Sequence, residues 1–175
     1  MSEIPLHMPE GITEQHALGQ VQLDQPHDWQ LVSDQVMGGR SQGRLELQER
    51  NGQPCVCLGG VISLDNNGGF VQIKTLLPSG VNAGRYRGIY IQMLGSGHAV
   101  DLRLKTTALQ HPWQSFRMAI QPREQWQTWW LPFSDFQPHR TDARFDPAQL
   151  RSLGVVAIGE EMRVDVCVAA WGLYR

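Results

Sequence analysis

Lysine is nearly absent from this chain. Of its 15 Lys and Arg residues only Lys74 and Lys105 are lysines, and the formal net charge is −2 over 175 residues. No Lys/Arg cluster forms along the sequence. The electrostatic footprint of nucleic-acid binding is therefore missing. Long apolar runs are missing too, since none approaches the eighteen or so residues of a membrane span. That excludes insertion as a helix. Met1 to Glu10 holds acids and prolines where a signal peptide has a basic and then an apolar stretch. It also lacks the Arg/Ser-rich make-up of a mitochondrial presequence, so the expected location is the cytoplasm of a bacterium.

Cysteine is scarce, with Cys55, Cys57 and Cys167 only. Cys55 and Cys57 stand two apart in a strand-like stretch, so both point to one face and do not bridge easily. A four-ligand metal site needs a further pair, and Cys167 is single. The expectation is three reduced, buried, apolar cysteines with no metal and no cofactor. Histidine is scattered at His7, His16, His27, His98, His111 and His139, without a His-x-His spacing or a base placed beside a candidate nucleophile. These absences favour a protein that binds over one that catalyses.

What is present is period-two alternation. Ile89, Ile91 and Met93 alternate with Tyr90 and Gln92; Val100, Leu102 and Leu104 with Asp101, Arg103 and Lys105; Phe116, Met118 and Ile120 with Ser115 and Arg117. Each such strand has one buried and one wet face, the pattern of an antiparallel β-sandwich or jelly roll. Asn51-Gly52 marks a tight hairpin, and about ten strands are expected. Val21 to Leu23 reads as the first, and Val61 to Leu64 as a separate one. Helix is confined to one or two turns at Asp146-Pro147, with Asp146 as N-cap and Gly154 closing the segment. Residues 1–20 read as an arm and 21–175 as a single domain.

The most unusual stretch runs from Trp29 to Gly43. Asp34 and Ser41 flank Gly38-Gly39, with Met37 as a core plug beside them. A second doublet, Gly68-Gly69, follows Asn66-Asn67 and leads into Phe70. Short polar side chains beside glycine doublets satisfy loop amides that no strand ladder reaches. Asp34, Ser41 and Asn67 are thus candidate binding residues, with two readings: a polar ligand pocket, or self-satisfaction of the two loops. The second is the expected one. Gly68-Gly69 enters a strand and not a helix, so it is no phosphate cradle. Trp129 and Trp130 fall on opposite faces of one strand, one core and one exposed, and the exposed one suits a glycan or a protein partner. Pro132, Phe133 and Phe136 turn that strand out of the sheet, with the two Phe side chains either as lids over the sandwich edge or, the expected reading, as plain packing.

Asp34…Val36-Met37-Gly38-Gly39-x-Ser41, Asn66-Asn67-Gly68-Gly69-Phe70 and Trp126…Leu131-Pro132-Phe133-Ser134-Asp135-Phe136 together resemble the successive signatures of the complex I intermediate-associated protein family. The resemblance spans Val21 to Arg175. It implies a galactose-binding-like β-sandwich and a chaperone-like protein partner role in assembling respiratory complex I. A carbohydrate-binding module is the alternative, and an enzyme of another kind the third.

Overall fold

The computed structural model describes residues 8–67 and 69–175. Twelve strands stack as two six-stranded antiparallel sheets. Strands make up 53% of the described residues, and the helical 9% is all short 3₁₀ turns. The all-β sandwich read from alternation is what forms.

The first sheet holds β3 (Gln42–Arg50), β4 (Gln53–Ile62), β12 (Met162–Tyr174), β6 (Gly88–Gly95) and β9 (Gln127–Pro132) in that order. β1 (Gln15–Gln20) lies beside the second half of β12, past the end of β4. The second sheet runs β10 (Gln137–His139), β8 (Ser115–Ile120), β7 (Val100–Thr106), β11 (Leu150–Ile158), β5 (Phe70–Leu76) and β2 (Gln30–Ser33). The apolar halves of the alternation meet between the sheets. Ile89, Ile91 and Met93 of β6 join Leu102 and Leu104 of β7, Leu153, Val155 and Ala157 of β11, and Val168 and Leu173 of β12 in one fully buried core. Each large aliphatic or aromatic side chain buried this way contributes about 1.5–3 kcal/mol. Trp29 belongs to the same core. Phe133 and Phe136 pack into this core, the expected one of their two readings.

Several local expectations change. Residues 15–20, read as arm, pair with β12; Gly19, whose missing Cβ makes room for the Trp171 ring, dilutes their alternation in the sequence. Val21 to Leu23 is no strand; only the Val21 amide reaches the sheet, at Ala169 O. Val61 and Ile62 continue β4 and do not begin a new strand. Asn51 and Gly52, with φ of 49° and 81°, make the expected hairpin turn. Asp146 caps a 3₁₀ turn through the Ala148 amide at 2.9 Å, but Gly154 lies inside β11.

The cysteines differ most. Cys57 of β4 faces Cys167 of β12 in register, with Cα atoms 4.0 Å apart, and the two form a disulfide. The reduced state expected for them fails because the partner lies 110 positions away, beyond the reach of sequence spacing. Cys55 stays free and buried, its Sγ 3.6 Å from that of Cys57. Burial pushes its thiol pKa up, with Arg50 opposing. Trp126 packs over the group and donates from Nε1 to Arg50 O at 2.8 Å, while Arg50 pairs with Asp165 at 2.9 Å.

Candidate functional site

The two glycine loops meet at one end of the sandwich, where the chain crosses between sheets from β2 to β3 and from β4 to β5. Asp34 is fully buried at that junction. Its Oδ1 accepts from the Ser41 amide at 3.0 Å. Its Oδ2 accepts from the Ser41 hydroxyl and from the amides of Gly69 at 2.5 Å and Phe70 at 3.2 Å. The Ser41 hydroxyl in turn accepts from the Ser63 amide at 2.9 Å. Asn66, at φ 56°, donates to Gly38 O at 3.2 Å. Burial works to raise the Asp34 pKa, but the Ser41 hydroxyl and the Gly69, Ser41 and Phe70 amides outweigh it and hold the carboxyl below its ordinary value.

Asp34 and Ser41 are thus together, as expected, but they face each other and the loops. Every Asp34 contact is internal to the crossing. Gly39 is needed for this: a Cβ there would come within 2.5 Å of the Asp34 carboxyl carbon. Gly38 serves differently, ending the 3₁₀ turn at φ 85°. The side chain of Asn67 and all of Gly68 lie outside the described residues. Met37 is no core plug. It is 64% exposed and Val36 75%, because the turn that points Asp34 inward points them outward.

Trp129 and Trp130 are separate from this junction. Trp129 is in the core, and Trp130 faces the other side of its sheet. The expected exposure of one is corrected: Trp130 is only 8% exposed, caged by Tyr90 at 5.5 Å and Tyr174 at 5.4 Å between ring centroids. Burial pushes the Tyr174 pKa up to about 12. The exposed tryptophan is Trp113, 55% accessible, stacked on His111 in the β7–β8 loop.

The feature that alternation left unread is the outer face of the second sheet. The strands of the first sheet carry Arg44, Arg50 and Arg163 against Glu46, Glu49 and Asp165, a balance of zero. Those of the second carry Lys74, Arg103, Lys105, Arg117 and Arg151 against Asp101 alone, a balance of +4. Both lysines of the protein are here. β11 sits between β5 and β7 and sets Gly154 between Lys74 and Arg103 in register, which leaves a notch in the row. Gln72 leans over it, its Oε1 3.0 Å from where a Gly154 Cβ would stand. Asp101 takes two bonds from Arg103, at 2.9 and 3.2 Å, and lies 3.6 Å from Arg117. Lys105 donates to Pro112 O at 2.5 Å. Burial, then the charges of Lys74, Arg103 and Arg151, lower its pKa. Burial and nearby arginines likewise lower that of His139. In the sequence these bases are only scattered polar positions on four strands.

The sequence pattern of complex I intermediate-associated protein 30, CIA30, matches residues 19–164. The chain belongs to the CIA30 family. No curated protein sequence matches it. Among solved structures, this CIA30 domain is similar to the family 11 carbohydrate-binding module of a cellulosomal cellulase of Clostridium thermocellum. The TM-score is 0.74 at 14% identity, over 91% of this chain and 94% of the module. The family 11 module in complex with a β-1,3-1,4-mixed-linked tetrasaccharide gives 0.72 at 15%, over 91% and 94%. The family 30 module of another cellulosomal cellulase of that organism gives 0.61 at 13%, over 91% and 96%. At such identities the likeness is one of fold. The two glycine loops that carry the family resemblance meet at the Asp34 junction, whose polar contacts are internal to the crossing.

Proposed function

We propose that this CIA30-family protein is a non-catalytic binding protein that assists the assembly or stability of a protein complex in a chaperone-like way. Respiratory complex I is the partner the family description points to. The observation that carries this reading is the charge segregation: a sheet face at +4 on a protein at −2, so that the remaining residues together hold −6. Such a face steers and orients a complementary partner. Val36 and Met37, exposed at the glycine-loop end, add apolar contact area of the kind found in interfaces. Pull-down with cross-linking from native cells, read by mass spectrometry, is expected to return subunits of one complex. Recovery of no protein would overturn the reading.

The likeness to a module seen with a bound tetrasaccharide supports a second reading, glycan binding. Against it, Trp129 and Trp130 are buried, and the outer face of the second sheet offers no tryptophan or tyrosine for a sugar ring to stack on. A cytoplasmic, bacterial setting belongs to the first reading. The Cys57–Cys167 bond pulls the other way, because disulfides persist in oxidising compartments. Alkylation of the protein in freshly lysed cells separates the two settings: thiols at Cys57 and Cys167 fit the cytoplasm, and a disulfide fits an exported glycan binder.

A further inference from the structure

We propose that the outer face of the second sheet docks an extended, acidic segment of the partner polypeptide, with a carboxylate seated at Gly154 between Lys74 and Arg103. This rests on the protein-binding reading above and names the chemistry of the segment bound.

Three observations carry it. First, the five bases of this face outnumber its one acid, Asp101. Among the described residues, no ion pair involves Lys74, Lys105 or Arg151. Asp101 is spent on Arg103 and Arg117. Like charges held together are a standing cost that an incoming anion relieves. Second, the spacing fits an extended chain. Arg103 and Lys105 are two residues apart on β7, about 7 Å, the repeat of alternate side chains in any extended segment. Acids at alternate positions of a strand-like ligand therefore meet both. Lys74 lies two strands away from Arg103, about 10 Å, with only Gly154 between. Arg103 and Lys74 can reach one carboxylate across that gap when the Gln72 side chain, which leans over Gly154, turns aside. Third, the face lacks what a sugar would need. Trp113 stands at its rim, on the loop that Lys105 holds through Pro112 O, and not on its floor. There it can anchor an apolar residue flanking the acids.

The test uses a capped ten-residue Glu-Ser repeat peptide, its Gln-Ser counterpart and polygalacturonate, followed by amide chemical shifts of the labelled full chain. The Glu-Ser peptide is expected to move the Lys74, Arg103, Lys105 and Gly154 amides saturably, and the Gln-Ser peptide to leave them still. Affinity should fall at least tenfold between 50 and 300 mM salt. It should fall tenfold or more again in Lys74→Gln/Lys105→Gln, whose melting temperature should match the parent. Absence of shifts, shifts elsewhere, or shifts with polygalacturonate alone would overturn the proposal. Pull-down with the double variant separates this proposal from the reading beneath it. A partner captured equally by parent and variant removes this face but leaves protein binding standing. A parent that captures no protein removes both.

Discussion

At the scale of single residues, Asp34 is the best-satisfied polar group of the glycine loops, and its neighbours are all donors. An asparagine keeps one acceptor oxygen, so its NH2 group must face either the Ser41 amide or the amides of Gly69 and Phe70. Asp34→Asn should therefore cost about 3 kcal/mol, more than the loss of charge assistance alone, because buried donors are left facing donors. Denaturant unfolding checks it, and a variant within ~0.5 kcal/mol of the parent would show that the junction does not carry stability. The pH dependence follows from the same carboxyl. Its pKa is lower folded than unfolded, so its contribution is complete above about pH 4 and is lost as the pH falls through the folded value. Stability of the parent should drop across that acid range more steeply than that of Asp34→Asn. The two glycines should separate as well. Gly38→Ala meets open space at a left-handed φ and should cost about 1 kcal/mol, whereas Gly39→Ala drives a methyl into the carboxylate and should cost ~2–3 kcal/mol.

At the scale of elements, the strands that could be read in advance were those with a clean wet face. β7 alternates without interruption, and β6 and β8 turn their apolar residues inward as period two requires, although Leu94 and Ser115 on their other faces are buried too. β1 was missed because its partner is the end of the chain and its own pattern is weak. The Asp34 junction was half legible. Polar shoulders on two glycine doublets announced loops that satisfy themselves, but which atom bonds which required the crossing of two sheets. Met37 was misjudged because apolar character alone does not say which way a 3₁₀ turn points it. The cationic face was invisible, since its five bases come from four strands that only β11's position brings side by side. The disulfide was invisible for the same reason, and it is the element-scale feature easiest to test. It ties β4 to β12 across a 110-residue separation, which by the chain-entropy argument stabilises by about 4–5 kcal/mol. Thiol titration in denaturant should find one free thiol, Cys55, before reduction and three after. Reduction should lower the melting temperature by several degrees. Three thiols without reductant would remove the staple from the account.

For the whole molecule, the consequence of the charge arrangement is that net charge misleads. At pH 7 the protein is formally −2, with an isoelectric point near 6.3, so a uniform sphere of that charge would be repelled by an anionic surface. Within about a Debye length, roughly 10 Å at 0.1 M salt, an approaching surface responds to the nearest face and not to the total. The second sheet presents +4 over a few strands, and the first presents none. The molecule should therefore turn that sheet toward an anionic surface and be held. Loaded at pH 7 and low salt, it should be retained on a sulfonate cation exchanger despite its negative charge, and released as salt shortens the screening length. Lys74→Gln/Lys105→Gln halves the excess on the sheet and should pass straight through. Ordinary flow-through of the parent would mean that the −6 on the remaining surface dominates at contact distance, and orientation by charge would then have no part in how this protein finds its partner.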